Sequence, residues 1–338
     1  MNVIHCKARN GAHQTIHSRS RVLQYNRTLL PPRGLLHNLS KKVRAFEQQH
    51  ANSNMKRTAV MFGCLLAVVL QVTGCLSSYF AADRVERLAR NAGFQRRIVD
   101  AGRFPVVVYL KAAAQATQRV HVYIEGDGTP WIRHRWVARD PTPRNPMALK
   151  LMRLDANPSL YLGRPCYHGL HDMPPCEPRF WTAARYSEAV VESMAMALNA
   201  LLEELSMDEA VLIGHSGGGT LAMLLAARIP PVRAVITLGA NLDTDAWAAY
   251  HHYTPLHASL NPARLAPLPP RILQLHLAGE EDVHVPPGLI RPVVERQYNV
   301  HWQVVRGQNH DCCWEALWPA VLAALPAWMD NADLDFEE

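Results

Sequence analysis

At 338 residues the chain has room for one large domain or two small ones. Its formal net charge of +6 points toward nucleic acid until that charge is located. Residues 1–54 hold nine Lys/Arg against the single acid Glu47, so the remainder nets about −2. No basic stripe is left there to follow phosphates, and no nucleic-acid partner is expected.

In chain order, the basic leader comes first. Rich in Arg, His, Ser and Asn and without apolar periodicity, residues 1–54 are expected to be a disordered leader or an upstream extension of the reading frame. A second start signal follows: Met55-Lys56-Arg57, then no charge from 58 to 82. The apolar run ends at Val72-Thr73-Gly74-Cys75, which resembles a bacterial lipobox. That resemblance implies a signal peptide over 55–75, a lipid on Cys75 and membrane attachment through this lipidated N-terminus. Ser77, at the third mature position, is no acidic retention signal, which implies an outer-membrane lipoprotein of the cell envelope. An uncleaved inner-membrane anchor is the alternative. Its strongly apolar part is only about 14 residues, where a span needs about 20. Both readings place the rest of the chain outside the cytoplasm.

From about residue 95, strand-like and helix-like segments alternate, as in an α/β protein with a mostly parallel sheet and helices on both faces. Residues 97–101 and 105–110 are predicted strands, and 119–125 alternates cleanly before breaking at Gly126-Asp127-Gly128. A helix over 147–154 leads to a strand near 159–162. Val190, Val191, Met194, Leu198, Leu201 and Leu202 recur at helical spacing and predict a helix over 182–205. A strand at 210–213 and a helix over 217–228 follow, then strands at 232–238 and 271–277. A helix over 289–297, a strand at 301–305 and a helix over 313–329 close a single domain of about 80–330.

In an oxidising compartment cysteines favour disulfides. With Cys6, Cys64 and Cys75 assigned to leader, signal and lipid, Cys166, Cys176, Cys312 and Cys313 remain. Cys166 and Cys176 suit a local bridge, whereas Cys312 and Cys313 pair with each other or elsewhere. Zinc held by these cysteines with His168, His171 or His310 is the alternative, without a Cys-x-x-Cys spacing to support it.

The chemistry is carried by Gly214-His215-Ser216-Gly217-Gly218, set between a strand and a helix. A serine on such a turn projects its hydroxyl toward a partner base, and the flanking glycines let strand and helix approach closely. After the strand at 271–277 comes Gly279-Glu280-Glu281-Asp282-Val283-His284-Val285-Pro286, and after the strand at 301–305 comes Gly307-Gln308-Asn309-His310-Asp311. In that order and spacing, residues 97–328 resemble the α/β-hydrolase superfamily of serine hydrolases, esterase- or lipase-like.

The resemblance implies Ser216 as nucleophile, His310 as base and Asp282 as orienting acid, with Glu280 and Glu281 as rivals and Asp243 or Asp245 as backup. It also implies an oxyanion hole from the N–H groups of Gly217 and Asp127, with Gly128 as the neighbouring alternative. Glu125 departs from the histidine common there, and the Asp127 carboxylate is expected to turn away into hydrogen bonds. Residues 241–270 and their Trp247, Tyr250, His251, His252 and Tyr253 either cap the serine or pack on the domain. Trp131 either lines an acyl pocket or joins the core. The implied reaction is cleavage of a small-molecule or lipid-like carboxylic ester through a covalent acyl-enzyme. A peptidase or acyltransferase of the same fold, and a non-catalytic scaffold, are the alternatives. No phosphate loop, dinucleotide fingerprint or His pair at helical spacing is present, so no cofactor and no metal are expected. The chain carries no signal for an oligomeric state.

Overall fold

The computed structural model describes residues 81–111 and 117–334. The leader, the apolar segment and Cys75 lie outside the described residues. Eight strands form one sheet in the order β1-β2-β6-β3-β7-β8-β9-β10. At one edge β1 (Gln95–Val99) pairs antiparallel with β2 (Val106–Lys111), and β2 pairs antiparallel with β6 (Ser159–Leu162). From β6 onward β3 (Arg119–Ile124), β7 (Glu209–His215), β8 (Val232–Leu238), β9 (Leu273–Gly279) and β10 (Val300–Val305) run parallel.

Parallel strands lie between layers of helix and must be apolar on both faces. This is why Val-Leu-Ile before Ser216 reads as a continuous run rather than an alternation. Helices α1 (Ala81–Asn91) and α2 (Met147–Leu154) join the C-terminal helix (Trp314–Leu334) around one core. That core includes Val85, Met147, Trp314 and Trp318 with the inward side of the sheet. On the other face α3 (Glu188–Glu204), α4 (Gly217–Ala226) and the helix Pro287–Val294 pack through Val191, Leu198, Leu221 and Ile290. Among the described residues no helix is long and apolar enough to cross a membrane.

Three local features differ from the sequence expectation. Helix α1 lies ahead of the predicted elements, which begin near residue 95; it is charged at five of its eleven positions, with Val85, Leu88 and Ala89 at helical spacing on the face that meets the core. The ribbon β4 (Trp131–Ile132) with β5 (Trp136–Val137) has strands too short to show a period. The helix predicted from 182 starts at 188, after a 3-10 turn at Pro178–Trp181. The intervening residues form turns that carry Arg185 and Tyr186 to a distant partner. Cys166 and Cys176 are joined, with their Cα atoms 5.5 Å apart, and so are Cys312 and Cys313. The disulfides take the thiols that a zinc site would need.

Candidate active site

Asp127, Ser216, Asp282 and His310 lie beyond the carboxyl ends of β3, β7, β9 and β10, where open α/β sheets bind ligands. Ser216 directly follows β7 with φ 54° and ψ −125°, a conformation that costs a non-glycine residue energy. The surrounding glycines make the turn possible. A β-carbon at Gly214 would collide with the Gly218 backbone, and one at Gly218 with the Ile124 carbonyl. The Ser216 N–H donates to the Leu238 carbonyl at 2.9 Å, which ties the turn to the neighbouring strand.

His310 lies between Ser216 and Asp282. Its Nε2 is 3.0 Å from Ser216 Oγ, and its Nδ1 is 2.8 Å from Asp282 Oδ2. The other oxygen of Asp282 accepts the N–H groups of His284 at 2.9 Å and Val285 at 2.7 Å. Burial raises the Asp282 carboxyl, but the His310 hydrogen bond and charge, with those two N–H groups, hold it below the usual range. Of its rivals, Glu281 is exposed on the cleft wall, and Asp243 caps the helix Thr244–Tyr250 by accepting the N–H groups of Asp245 and Ala246. Asp245 pairs with Arg264 at 2.7 Å.

The histidine loop is pinned through the His310 carbonyl. This oxygen lies 2.9 Å from His215 Nε2 and accepts from Trp314 Nε1 at 3.2 Å. Burial, then the nearby His310, pushes His215 down to about 3, so its ring is neutral and Nε2–H donates. The joined Cys312 and Cys313 sit two and three residues beyond His310.

The loop after β3 supplies the opposite wall. The Asp127 N–H donates to no backbone carbonyl among the described residues, and neither does the Gly217 N–H that opens α4. The Asp127 carboxylate lies beside the Gly217 backbone and is fully engaged in hydrogen bonds. Oδ1 accepts from Arg164 Nη1 at 2.6 Å and Tyr186 OH at 2.7 Å, while Oδ2 accepts from Arg185 Nη1 at 2.6 Å. Tyr167 OH donates to the Asp127 carbonyl at 3.0 Å. Burial alone would raise this carboxyl, but Arg185 and Arg164 overcome it and hold it well below the usual range. Arg164 and Arg185 are buried, so three groups distant in sequence fix one loop residue.

Sequence reasoning missed these partners, and also Gly239. This glycine has φ +53°, and a β-carbon there would stand 2.9 Å from Asp282 Oδ2. No short motif marks them.

Glu125, one residue before the loop, is buried and accepts the Ala148 N–H at 3.1 Å. Burial, opposed by the N–H groups of Ala148 and Gly126, pushes its carboxyl up to about 7. A carboxyl raised by folding favours the fold while neutral. Its contribution is complete below the ordinary 4.5 and lost as pH climbs through about 7. Glu125→Gln is therefore expected to flatten the fall in unfolding free energy across that window by about 3 kcal/mol. Urea melts at a series of pH values check this; parallel curves for variant and wild type would refute it.

The serine, the loop and the histidine open onto one cavity of about 1100 Å³. Trp131, Trp247, Tyr253, Leu256, Val283 and Val285 give it apolar walls. Trp247 is buried and Tyr253 exposed, so residues 241–270 both pack on the domain and line the cleft. Trp131 lines the mouth and is 42% exposed, not a core residue. The ring of His284 stands edge-on to His310, with centroids 4.6 Å apart.

A family model described as the alpha/beta hydrolase fold matches residues 166–265. The chain has the α/β hydrolase fold. Among solved structures it is similar to an esterase from Pyrococcus furiosus, with a TM-score of 0.53 and 11% identity over 72% of this chain and 93% of that one. It is also similar to a puromycin-hydrolyzing peptidase from Mycobacterium tuberculosis, with a TM-score of 0.51 and 14% identity. That match covers 71% of this chain and 40% of the peptidase, so the chain spans less than half of that protein. The curated proteins contain no match.

Proposed function

We propose that the protein is a serine hydrolase that cleaves carboxylic esters, small-molecule or lipid-like, through a covalent acyl-enzyme. The observation that carries this reading is the unbroken hydrogen-bond chain Ser216–His310–Asp282, beside the Gly217 and Asp127 N–H groups, which donate to no backbone carbonyl among the described residues. Ser216 Oγ attacks the ester carbonyl carbon as His310 Nε2 takes its proton, and Asp282 holds the imidazole and balances its charge. The carbonyl oxygen gains negative charge and is met by the N–H groups of Gly217 and Asp127. On collapse the C–O bond to the alcohol breaks, and His310 returns the proton to the leaving oxygen. Water, deprotonated by His310, then attacks the acyl-enzyme, releasing the acid and restoring Ser216.

The Asp127 carboxylate does not oppose the oxyanion, because Arg164, Arg185 and Tyr186 neutralise it. The apolar cleft walls favour an ester with a hydrocarbon acyl or alcohol part over a charged peptide. We further propose that this chemistry takes place in the cell envelope, on a chain held to the membrane by a lipid on Cys75.

A fluorophosphonate probe tests the nucleophile. Wild type should label and Ser216→Ala should not, while folded wild type that fails to label would favour a non-catalytic scaffold. Gly239→Ala is expected to push against Asp282 and His310 and to lower kcat about 10- to 100-fold, with KM within about twofold. Steady-state kinetics on a soluble ester read the split, and a raised KM with kcat unchanged would place Gly239 in substrate binding instead.

A further inference from the structure

The seven residues Trp131-Ile132-Arg133-His134-Arg135-Trp136-Val137 form a ribbon that no other strand among the described residues joins. In it Trp131 pairs with Val137 and Ile132 with Trp136. Arg133 and His134 make the turn, with φ 51° and 54°. All four apolar side chains face water: Trp131 is 42% exposed, Ile132 39%, Trp136 54% and Val137 40%. A soluble surface rarely groups apolar side chains in this way without a partner to cover them.

The charges of the ribbon identify that partner. It holds two arginines and no acid. Arg133 makes no ion pair among the described residues, and the Arg135 guanidinium lies over the Trp136 ring, 5.4 Å from its centroid. Arg139, two residues beyond the ribbon, has its carboxylate in Asp172 at 2.6 Å. Indole rings set at headgroup depth, aliphatic side chains reaching further and guanidiniums at phosphate level match the layers of an anionic bilayer surface.

The position of the ribbon matches as well. Trp131 and His134 line the cleft mouth, and Tyr253 and Val283, 40% and 78% exposed, line it too. Of the four acids lining the cleft, the exposed Glu281 and Asp311 follow β9 and β10, on the far side of Ser216 in the strand order. On the ribbon's side Glu125 is buried and Asp127 is paired with Arg164 and Arg185.

We propose that the ribbon 131–137 docks the cleft mouth onto a bilayer containing anionic phospholipid, so that an ester passes from the lipid to Ser216 without crossing water. The catalytic consequence rests on the ester-hydrolase reading; the docking does not.

The experiment uses the full chain, so that residues 1–80 are common to every variant. In the Ser216→Ala background, vesicles of bromine-labelled phosphatidylglycerol are expected to quench tryptophan fluorescence. Trp136→Phe should remove part of that quenching, and quenching unchanged by Trp136→Phe would overturn the docking.

With active protein, the doubles Ile132→Ser/Trp136→Ser and Arg133→Ser/Arg135→Ser are compared on one ester. These four residues do not line the cleft, so both doubles should match wild type when the ester is dissolved as a monomer. Both should turn it over roughly 10- to 30-fold more slowly in phosphatidylglycerol vesicles. In phosphatidylcholine vesicles the arginine double alone should match wild type. Equal turnover in both presentations, or an equal loss on monomer and vesicle, overturns the proposal. A ribbon-dependent dimer in solution overturns it too, making a second copy the occupant. Absent fluorophosphonate labelling would sink the ester-hydrolase reading instead, while bromine quenching would still decide the docking.

Discussion

Ser216→Ala is expected to lower kcat for a soluble ester by roughly four to six orders of magnitude, with KM and thermal stability close to wild type. His310→Ala should fall as far, because without the imidazole at 3.0 Å the serine hydroxyl stays protonated. Asp282→Ala should cost about 100-fold less than either, since the base remains but loses its orientation. The decisive measurement is the double Ser216→Ala/His310→Ala. Groups that act as one unit are non-additive, so the double should be no worse than the worse single. A double that fell by the product of the two singles would show that the observed hydrogen-bond chain is not the machinery.

Asp127→Ala is expected to cost about 3–5 kcal/mol of stability and to lower Tm by roughly 10 °C, because it strands two buried guanidiniums. Arg164 and Arg185 lose the carboxylate that lies 2.6 Å from each, and Tyr186 loses its acceptor. The penalty comes from the unpaired charge rather than from a lost attraction. Removing a cation as well, in Asp127→Ala/Arg185→Met, should therefore recover much of the stability. It should not recover kcat, since the loop that presents the Asp127 N–H is no longer held. Denaturant unfolding and kinetics on the single and double variants separate the two effects. A double less stable than the single would show that the Arg185 bond to the Thr182 carbonyl, at 2.7 Å, outweighs the cost of its unpaired charge.

The elements around the site differed in how far they could be read locally. The turn at Ser216 was legible because strand, glycines and helix are neighbours in sequence, and each constrains the next within a few bonds. Asp282 and His310 were legible one step further out, each as a loop residue after a strand of the same sheet. The helix predicted from 182 failed at its start for the opposite reason. Local spacing continued the helix, but Arg185 and Tyr186 are bound to a residue 58 and 59 positions away. Helix α1 carries its stripe openly in Val85, Leu88 and Ala89, whereas the two-residue strands of the ribbon are too short for any periodicity to reveal them.

By itself, then, the sequence determined the eight strands of the main sheet in chain order, the turn at Ser216 and the loops that carry Asp282 and His310. Backbone conformation and burial periodicity are short-range properties, and they suffice for these. Only the tertiary structure decided which carboxylate meets His310, how the charge of Asp127 is neutralised and why position 239 must lack a side chain. It also left the tryptophans of the ribbon in water at the cleft mouth. These are pairings across the ends of different strands. They depend on the strand order and register of the sheet, which no local pattern encodes.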